Sequence, residues 1–337
     1  MKNKVMIIAE LSANHGNSIE IAKQTIIAAK KAGADAVKIQ TYTADTLTIK
    51  SDQPYFKINN GTLWDGQTLY DLYENAYMPW DWTVPLKQLC DELELQFFST
   101  PFDRTAVDFL DEIGMPYYKV ASFEITDIPL IRYIASKGKP MIISTGIATY
   151  DEINDAVLAC KAEGNHTITL LQCTSQYPAK IEDANIKTMV DMKNAFEVNV
   201  GVSDHTEGFM VPITATAMGA VMIEKHFILN KEIGGPDASF SMTPDKFEEM
   251  VNRVRSVEKI MGDVSYALTE KKQNSRKFSR SLFIVKDVEA GDKVSTDNVR
   301  SIRPGDGLKP KYFPEIMGKT FIKSFIKGTP VSKEMFK

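Results

Sequence analysis

Histidine and cysteine are scarce in this chain. Its four histidines are fewer ligands than a metal-dependent barrel hydrolase or isomerase usually brings. Cys90, Cys160 and Cys173 are odd in number and share no metal-type spacing. Three scattered thiols argue against a disulfide framework and fit a reducing compartment, so a cytoplasmic location is expected. No run approaches the roughly 20 apolar residues needed to span a bilayer, so no membrane partner is expected. The start, MKNKVMIIAE, mimics a signal peptide, but Glu10 interrupts the apolar run and no small-residue cleavage site follows. Excess positive charge is missing too. The net charge of −4 argues against whole-chain nucleic-acid binding. A Gly-rich dinucleotide fingerprint is absent as well: after the first apolar run stands Ser12-Ala13-Asn14-His15-Gly16.

What is present is a regular alternation. Composition is ordinary for a globular chain, 43% hydrophobic and 25% charged, so a sizeable core is expected. Short apolar runs at 5–11, 36–40, 96–100, 117–121, 141–145, 168–174, 199–203 and 221–224 read as strands. Helical periodicity lies between them, as at 151–162 and at 18–32, where Ile19, Ala22, Ile26 and Ala29 make an apolar stripe. A last helix, 243–261, opens with Thr243-Pro244-Asp245, which suits an N-cap, a proline at N1 and an acid in the first turn. Eight strand–helix units in about 260 residues match an α/β fold of the (β/α)8 TIM-barrel type. A doubly wound open sheet is the alternative, weakened by the missing fingerprint.

One connection is irregular. Residues 41–79 form a long insertion carrying Tyr42, Tyr55, Phe56, Trp64, Tyr70, Tyr73 and Tyr77. Loops of that length are usually functional lids; most of these aromatics would fold the insertion onto the barrel, leaving one or two for a ligand. The barrel domain is expected over 1–262 and a polar, basic linker over 263–280. A small, mostly-β domain is expected over 281–337, with strand-like pieces at 281–285 and 320–325. From Arg276 onward the tail carries 14 Lys+Arg against 7 Asp+Glu, a net +7, which leaves −11 for the remainder. A basic module on an acidic barrel either covers an anion-filled mouth, its own or a neighbour's, or is a solvated appendage.

In such a barrel the chemistry sits at the carboxyl ends of the strands, and every strand end here is polar. The first supplies Glu10, the second Lys38 and Gln40, and the third Thr100. The fourth gives Lys119, then Ser122 and Glu124; the fifth gives Ser144 and the sixth Ser175 and Tyr177. Strands seven and eight end in Ser203-Asp204-His205 and Glu224-Lys225-His226. Capping accounts for many a single Ser or Thr, but eight polar ends together point to one site. Lys119 with Thr100, Ser122, Ser144, Ser175 and Ser203 suits a phosphate or a phosphate with a carboxylate. A lysine inside a buried strand needs an anionic partner. His205 and His226 share one rim and suit a divalent metal with open positions, or else only hydrogen-bond their neighbours. Glu10, Glu124 and Asp237 are available for acid–base work; Asp237, after Gly234-Gly235-Pro236, could equally form a turn. A metal beside a phosphate site suggests adding a phosphorylated three-carbon unit to a carbonyl.

Ten motifs in order resemble the sialic acid synthase family over nearly the whole chain. They are AELSANHG (9–16), AVKIQTY (36–42), STPF (99–102), YKVASFE (118–124), STG (144–146), CTSQYP (173–178), GVSDHT (201–206), IEKHF (223–227), GGPD (234–237) and RPG (303–305). The resemblance implies a (β/α)8 barrel followed by an antifreeze-like (SAF) domain that is exchanged across a homodimer and caps the partner's site. It implies condensation of phosphoenolpyruvate with the open-chain aldehyde of an amino sugar, using a divalent metal: Mn2+ first, then Mg2+ or Co2+. By motif, His205 and His226 would hold the metal, and Lys119, Thr100, Ser122, Ser144, Ser175 and Ser203 would bind phosphoenolpyruvate. Lys38 falls in the AVKIQTY motif, on the substrate side of the site. Glu124 would face the carbon that becomes an oxocarbenium ion. Glu10, Gln40, Tyr177 and Asp237 would address the sugar, and Arg303 would reach in from the partner chain. One departure is Ser175, where the enzymes acting on N-acetylmannosamine carry what looks like Asn.

Two stretches, 10–15 and 61–65 followed by LYDLYE, set the chain apart from those enzymes. In both, the chain resembles the branch of the family that acts on a 6-deoxy, diacetamido sugar, and that resemblance implies 2,4-diacetamido-2,4,6-trideoxy-L-altrose as the substrate. An N-acetylneuraminic or legionaminic acid synthase keeps the chemistry and changes the sugar, and stays open as an alternative. So do a metal-dependent barrel hydrolase or isomerase and a non-catalytic sugar-binding protein.

Overall fold

Eight parallel strands close into a barrel in chain order. They are β1 (Met6–Glu10), β2 (Ala36–Thr41), β3 (Gln96–Pro101), β4 (Tyr118–Val120), β5 (Met141–Ser144), β6 (Ile168–Cys173), β7 (Asn199–Asp204) and β8 (Met222–His226). The computed structural model describes residues 4–59, 61 and 64–337, so Thr62 and Leu63 of the 61–65 stretch, like residues 1–3, lie outside the described residues. Helices follow the strands: α1 (Ile19–Lys31), then α2 (Ala44–Leu47), α3 (Leu69–Ala76) and α4 (Thr83–Glu92) after β2. The rest are α5 (Arg104–Ile113), α6 (Ile128–Ser136), α7 (Tyr150–Ala162), α8 (Ile186–Phe196), α9 (Met210–Ala217) and α10 (Pro244–Met261). Each of the eight strands expected for the barrel is found within a residue or two of its expected bounds. Among the described residues, no helix is long and apolar enough to cross a membrane.

Local chemistry explains the helix ends. Ser18 caps α1 by accepting from Ile21 N, with Glu20 in the first turn and Lys30 and Lys31 in the last. Thr149 and Glu152 form a reciprocal capping box on α7. Asp103 caps α5, which Gly114 ends in the left-handed region at φ 78°. The buried face of α1, Ala22, Thr25, Ile26 and Ala29, is turned inward, and its apolar members join Ile7, Val37 and Phe97 from the outer side of the strands in one core. Each such Ile, Val or Phe side chain contributes about 1.5–3 kcal/mol on burial.

Inside the barrel the period of two sorts side chains into layers. Ile8, Ala36, Phe98, Ile142, Leu171 and Met222 make an apolar plug. Two residues further along the same strands come Glu10, Lys38, Thr100, Ser144, Cys173 and Glu224, joined by Lys119 and Ser203, and all eight are buried. The plug closes the barrel from below, so a polar layer can only be reached from the carboxyl ends. Gly201 is the β7 member at plug level. A Cβ there would lie 2.3 Å from the Met222 carbonyl oxygen and 2.9 Å from Leu171 Cδ2, so glycine is what lets β7 seat against β8.

The insertion is not a structureless loop. It holds α2, a 3-10 turn at Pro54–Phe56 and α3, and an isolated antiparallel bridge joins Lys57 to Thr68. The chain divides into two units, Met1–Gly262 and Asp263–Lys337. In the second, α11 (Glu270–Arg276) occupies part of the expected linker, and β9 (Ser281–Ile284) pairs antiparallel with β10 (Val299–Ile302). A short helix, α12 (Phe313–Ile316), follows, and Leu282, Ile284, Val294, Val299 and Phe321 lie in its core. The expected strand at 320–325 is instead a set of single bridges, Lys293 to Thr320, Phe321 to Phe336 and Val288 to Phe325. Phe321 is buried while residues 322–324 are exposed, so no continuous face exists to sustain a ladder.

Gly201→Ala should destabilise the protein by about 1–3 kcal/mol, the usual cost of overpacking a rigid site. Urea unfolding checks this, and an unchanged midpoint would contradict the close approach of β7 and β8.

Candidate active site

The polar layer is a buried charge network. Lys38 Nζ lies 2.5 Å from Glu10 Oε2 and 3.7 Å from Glu224 Oε1, and donates to Thr100 Oγ1 at 3.2 Å. Glu224 Oε1 also accepts from Ser203 Oγ at 3.0 Å, and Glu10 Oε1 from Ser12 N at 3.0 Å. One cation between two carboxylates splits their behaviour. Burial raises the Glu10 pKa more than Lys38 can lower it, and Glu224 adds to the rise. At Glu224 burial is outweighed by Lys38, Lys119 and the Ser203 hydroxyl, so its pKa falls. Lys38 itself moves up: burial opposes, but its two carboxylates win.

Lys119 is different. Its Nζ donates to Ser144 Oγ at 2.6 Å and to the Val120 carbonyl at 3.0 Å, and among the described residues no carboxylate lies within ion-pair distance of it. Only 2% exposed, it has its pKa lowered, chiefly by burial. A buried ammonium with neutral partners is costly, and an anion would relieve that cost. Beside it Gly146 N donates to Ser122 Oγ at 3.2 Å. A Cβ at Gly146 would lie 2.2 Å from Ser175 Oγ and 2.9 Å from Ser122 Oγ. Glycine thus keeps open a cradle of hydroxyls and a backbone amide. Glu124, in the 3-10 turn Ser122–Glu124 that leaves β4, has a buried Oε2 without a hydrogen-bond partner. Burial pushes its pKa up to about 7, against the pull of Lys119.

Across the barrel mouth the rings of His205 and His226 lie 5.2 Å apart. His205 Nδ1 sits 3.0 Å from the Thr174 carbonyl, which fixes Nδ1 as the protonated nitrogen and leaves Nε2 as a donor to a metal. His226 Nδ1 is buried without a hydrogen-bond partner, and Asp237 Oδ2 is 3.6 Å from it. Burial first, then the charges of His205 and nearby lysines, hold the His226 pKa well down. Its imidazole is therefore neutral, as a ligand must be. At His205 burial is outweighed by the Cys173 sulfur, the Thr174 carbonyl and Asp204, and the pKa rises. These donors fit a divalent ion with open positions, although among the described residues no group of three or more His, Cys, Asp or Glu is arranged to hold one.

Asp204, although next to His205 in sequence, makes its hydrogen bonds elsewhere. Its Oδ2 takes Lys225 Nζ at 2.7 Å and its Oδ1 takes Thr206 N at 2.9 Å. The pairing follows from register, since Asp204 faces Lys225 across β7 and β8, on the side of the strands opposite the histidines. Asn14, quoted in a motif but given no role, donates to Phe227 O at 3.1 Å and Ser241 Oγ at 2.8 Å. Ser241 Oγ in turn donates to Asp237 O at 2.7 Å. These bonds hold the turn bearing Asp237 against the loop after β1. Burial raises the Asp237 pKa.

A cavity of about 470 Å3 opens over this site, bordered by Gln40, Ser122, Glu124, Tyr177, His226 and Asp237. That volume is in the range of small-molecule sites, roughly 300–1,000 Å3. Tyr177 packs its ring 4.4 Å from that of His205, and Trp64 Nε1 donates to Pro236 O at 3.4 Å, tying the insertion to the Asp237 turn. Glu10, Lys38, Thr100, Lys119, Ser144, Ser203 and His205 are buried, and Ser175 is half-buried. Arg303 belongs to the second unit, exposed just after β10. Two working residues escaped sequence reasoning: Glu224, grouped with its neighbours but given no role, and Gly146. Counting two on from Met222 at plug level finds Glu224; no local signal finds Gly146.

A model described as the NeuB family matches residues 25–266, and one described as the SAF domain matches residues 279–337. The pseudaminic acid synthase of Campylobacter jejuni subsp. jejuni serotype O:2 is 48% identical over 316 residues, covering 94% of this chain and 92% of that protein. The pseudaminic acid synthase of Helicobacter pylori is 44% identical, covering 97% of this chain and 96% of that one. The crystal structure of N-acetylneuraminic acid (sialic acid) synthetase from Leptospira borgpetersenii in complex with citrate superposes with a TM-score of 0.72. It is 30% identical and covers 81% of this chain and 90% of its own.

A carboxyl whose pKa rises from 4.5 to about 7 on folding stabilises fully only below the lower value, and that contribution is lost as pH rises through the upper one. Glu124→Gln should therefore gain stability over the wild type between about pH 5 and about pH 8, on the order of 1–2 kcal/mol after allowing for solvent access. Urea unfolding at the two pH values measures the difference; a gap that does not change with pH contradicts the burial of Glu124.

Proposed function

Because the chain belongs to the NeuB family, we propose that it condenses phosphoenolpyruvate with the open-chain aldehyde of 2,4-diacetamido-2,4,6-trideoxy-L-altrose, giving pseudaminic acid and phosphate. The observation that carries the condensation is Lys119, a buried ammonium whose partners are one hydroxyl, Ser144 Oγ, and one backbone carbonyl, Val120 O, both neutral. The choice of sugar rests on the relatives: the two pseudaminic acid synthases are 44% and 48% identical to the chain, against 30% for the N-acetylneuraminic acid synthetase.

In this reading Lys119, Thr100, Ser122, Ser144, Ser175 and Ser203 hold the phosphate and carboxylate of phosphoenolpyruvate, with Lys38 balancing the carboxylates beneath. Gln40, Tyr177, Asp237 and Glu10 orient the sugar. His205 and His226 hold a divalent ion, Mn2+ first, with Mg2+ or Co2+ as substitutes, which when bound polarises the aldehyde carbonyl. The methylene carbon of phosphoenolpyruvate bonds to the aldehyde carbon, whose oxygen becomes the new hydroxyl after taking a proton. Positive charge then develops at C2 of the former phosphoenolpyruvate, where the Glu124 carboxylate, whose Oε2 has no hydrogen-bond partner, opposes it. Water adds to C2 and gives its proton to Glu124. The tetrahedral product collapses by breaking the bond from C2 to the phosphate oxygen; the C2 hydroxyl becomes the ketone as its proton passes to the departing phosphate. The SAF domain of a second copy, exchanged within a homodimer, would bring Arg303 to the sugar. Three free, buried thiols fit a cytoplasmic location.

Phosphate release from phosphoenolpyruvate, assayed against a panel of aldoses with and without Mn2+, tests the reading. Release is expected with the 6-deoxy diacetamido sugar. Release mainly with N-acetylmannosamine would move the chain to N-acetylneuraminic acid synthesis, and no release with any of the sugars would count against the synthase class. Glu124→Gln should lower kcat by two orders of magnitude or more while leaving the Kd of phosphoenolpyruvate within about threefold. Near wild-type turnover in that variant would remove Glu124 from its role.

A further inference from the structure

The cavity over the site is two-faced. Its floor is the polar edge described above, with Gln40, Ser122, Glu124, His226 and Asp237. The insertion lines the rest with an aliphatic wall, Leu47, Ile58, Leu69 and Leu72, together with Tyr42, Trp64 and Tyr73. Exposed Tyr55 and Lys57 border the mouth.

The wall has a sequence logic. Leu69, Leu72, Tyr73 and Ala76 stand at i, i+3, i+4 and i+7 of α3, one face of a short amphipathic helix that Thr68 caps by accepting from Asp71 N. Only Ala76 of the four is fully buried. Leu69 and Leu72 are half-buried and belong to neither the barrel core nor the plug. A helix face of this kind usually disappears into a core. Here it borders open cavity, and the same cavity is bordered by Glu124, Asp237 and His226.

We propose that Leu69 and Leu72 of α3, with Leu47 and Ile58, select the sugar by receiving its deoxygenated end. The inference rests on the reading above, that an amino-sugar aldehyde reacts at the floor. With the aldehyde and its neighbouring hydroxyls turned to the polar floor, the far end of the sugar meets the aliphatic wall. A methyl group packs there. A hydroxymethyl group buries a hydroxyl against Leu47, Ile58, Leu69 and Leu72, none of which can hydrogen-bond it, the arrangement by which an apolar pocket discriminates 10- to 100-fold.

The test compares kcat/KM of the full chain for 2,4-diacetamido-2,4,6-trideoxy-L-altrose and for the same sugar bearing a 6-hydroxyl. Wild-type enzyme should favour the 6-deoxy sugar by about 10- to 100-fold. Leu72→Asn and Leu69→Asn, each supplying an amide to the hydroxyl, should cut that ratio at least tenfold and leave the KM of phosphoenolpyruvate within about threefold. Leu72→Met should keep the wild-type ratio. Circular dichroism confirms folding, and the two asparagine sites are independent should one variant not fold. A ratio unchanged in the folded asparagine variants, with wild type active on the 6-deoxy sugar, overturns this inference alone. A wild type inactive on both sugars overturns the catalytic reading, and this inference with it.

Discussion

A lysine ammonium in the interior of a barrel is the constraint on which the site depends. The apolar plug of Ile8, Phe98, Leu171 and their neighbours seals the barrel below the polar layer, so water cannot solvate Lys119 from that side. Glu10 and Glu224 are the carboxylates at this level, and Lys38 lies within ion-pair distance of both. What remains is a positive charge with two neutral acceptors. Low-dielectric surroundings make it strong toward any anion admitted from above and unfavourable when none is present. Glu124 is the complementary case, a carboxyl half in the same environment and without a partner for Oε2. Both groups are less stable as they stand than in water. Binding sites commonly carry that cost, because the groups that must meet a ligand cannot be satisfied by the fold.

The histidines are held by different means. Their strands are locked together on the outer side by the Asp204–Lys225 pair and on the inner side by the Ser203–Glu224 hydrogen bond. Gly201 permits the close contact of the same two strands lower down. Breaking a buried pair such as Asp204–Lys225 strands the remaining charge, a penalty of about 3–5 kcal/mol. The spacing of the imidazoles is therefore set by backbone register and packing rather than by the rings themselves. The insertion is stabilised less deeply. Its helix α3 leaves an apolar face at the cavity, and its bond to the barrel through Trp64 and Pro236 reaches the turn that carries Asp237.

Much of this was legible in the sequence. Strand positions follow from short apolar runs, and a closed parallel barrel follows from their number and spacing with helices between. Polar residues at the strand ends follow from the same period of two that builds the plug: Ile8 implies Glu10, Phe98 implies Thr100, Met222 implies Glu224. The tail was read less well. A ladder expected at 320–325 dissolved into single bridges because only Phe321 is fully buried there, and a helix formed at Glu270–Arg276 where a linker was expected. Lys271 and Lys272 next to Gln273 and Arg276 are good helix formers, and composition alone read them as merely polar.

Sequence by itself determined which residues stand at the carboxyl rim, since that depends only on local periodicity and on strand length. It could not determine which of them pair. Whether Lys38 or Lys119 takes the carboxylates, whether Asp204 serves His205 or Lys225, and whether α3 turns its leucines to the core or to the cavity are set by register and closure between segments tens to hundreds of residues apart. Those contacts have no local signal. They exist only once the barrel is closed, because closure alone fixes which buried charge is near which.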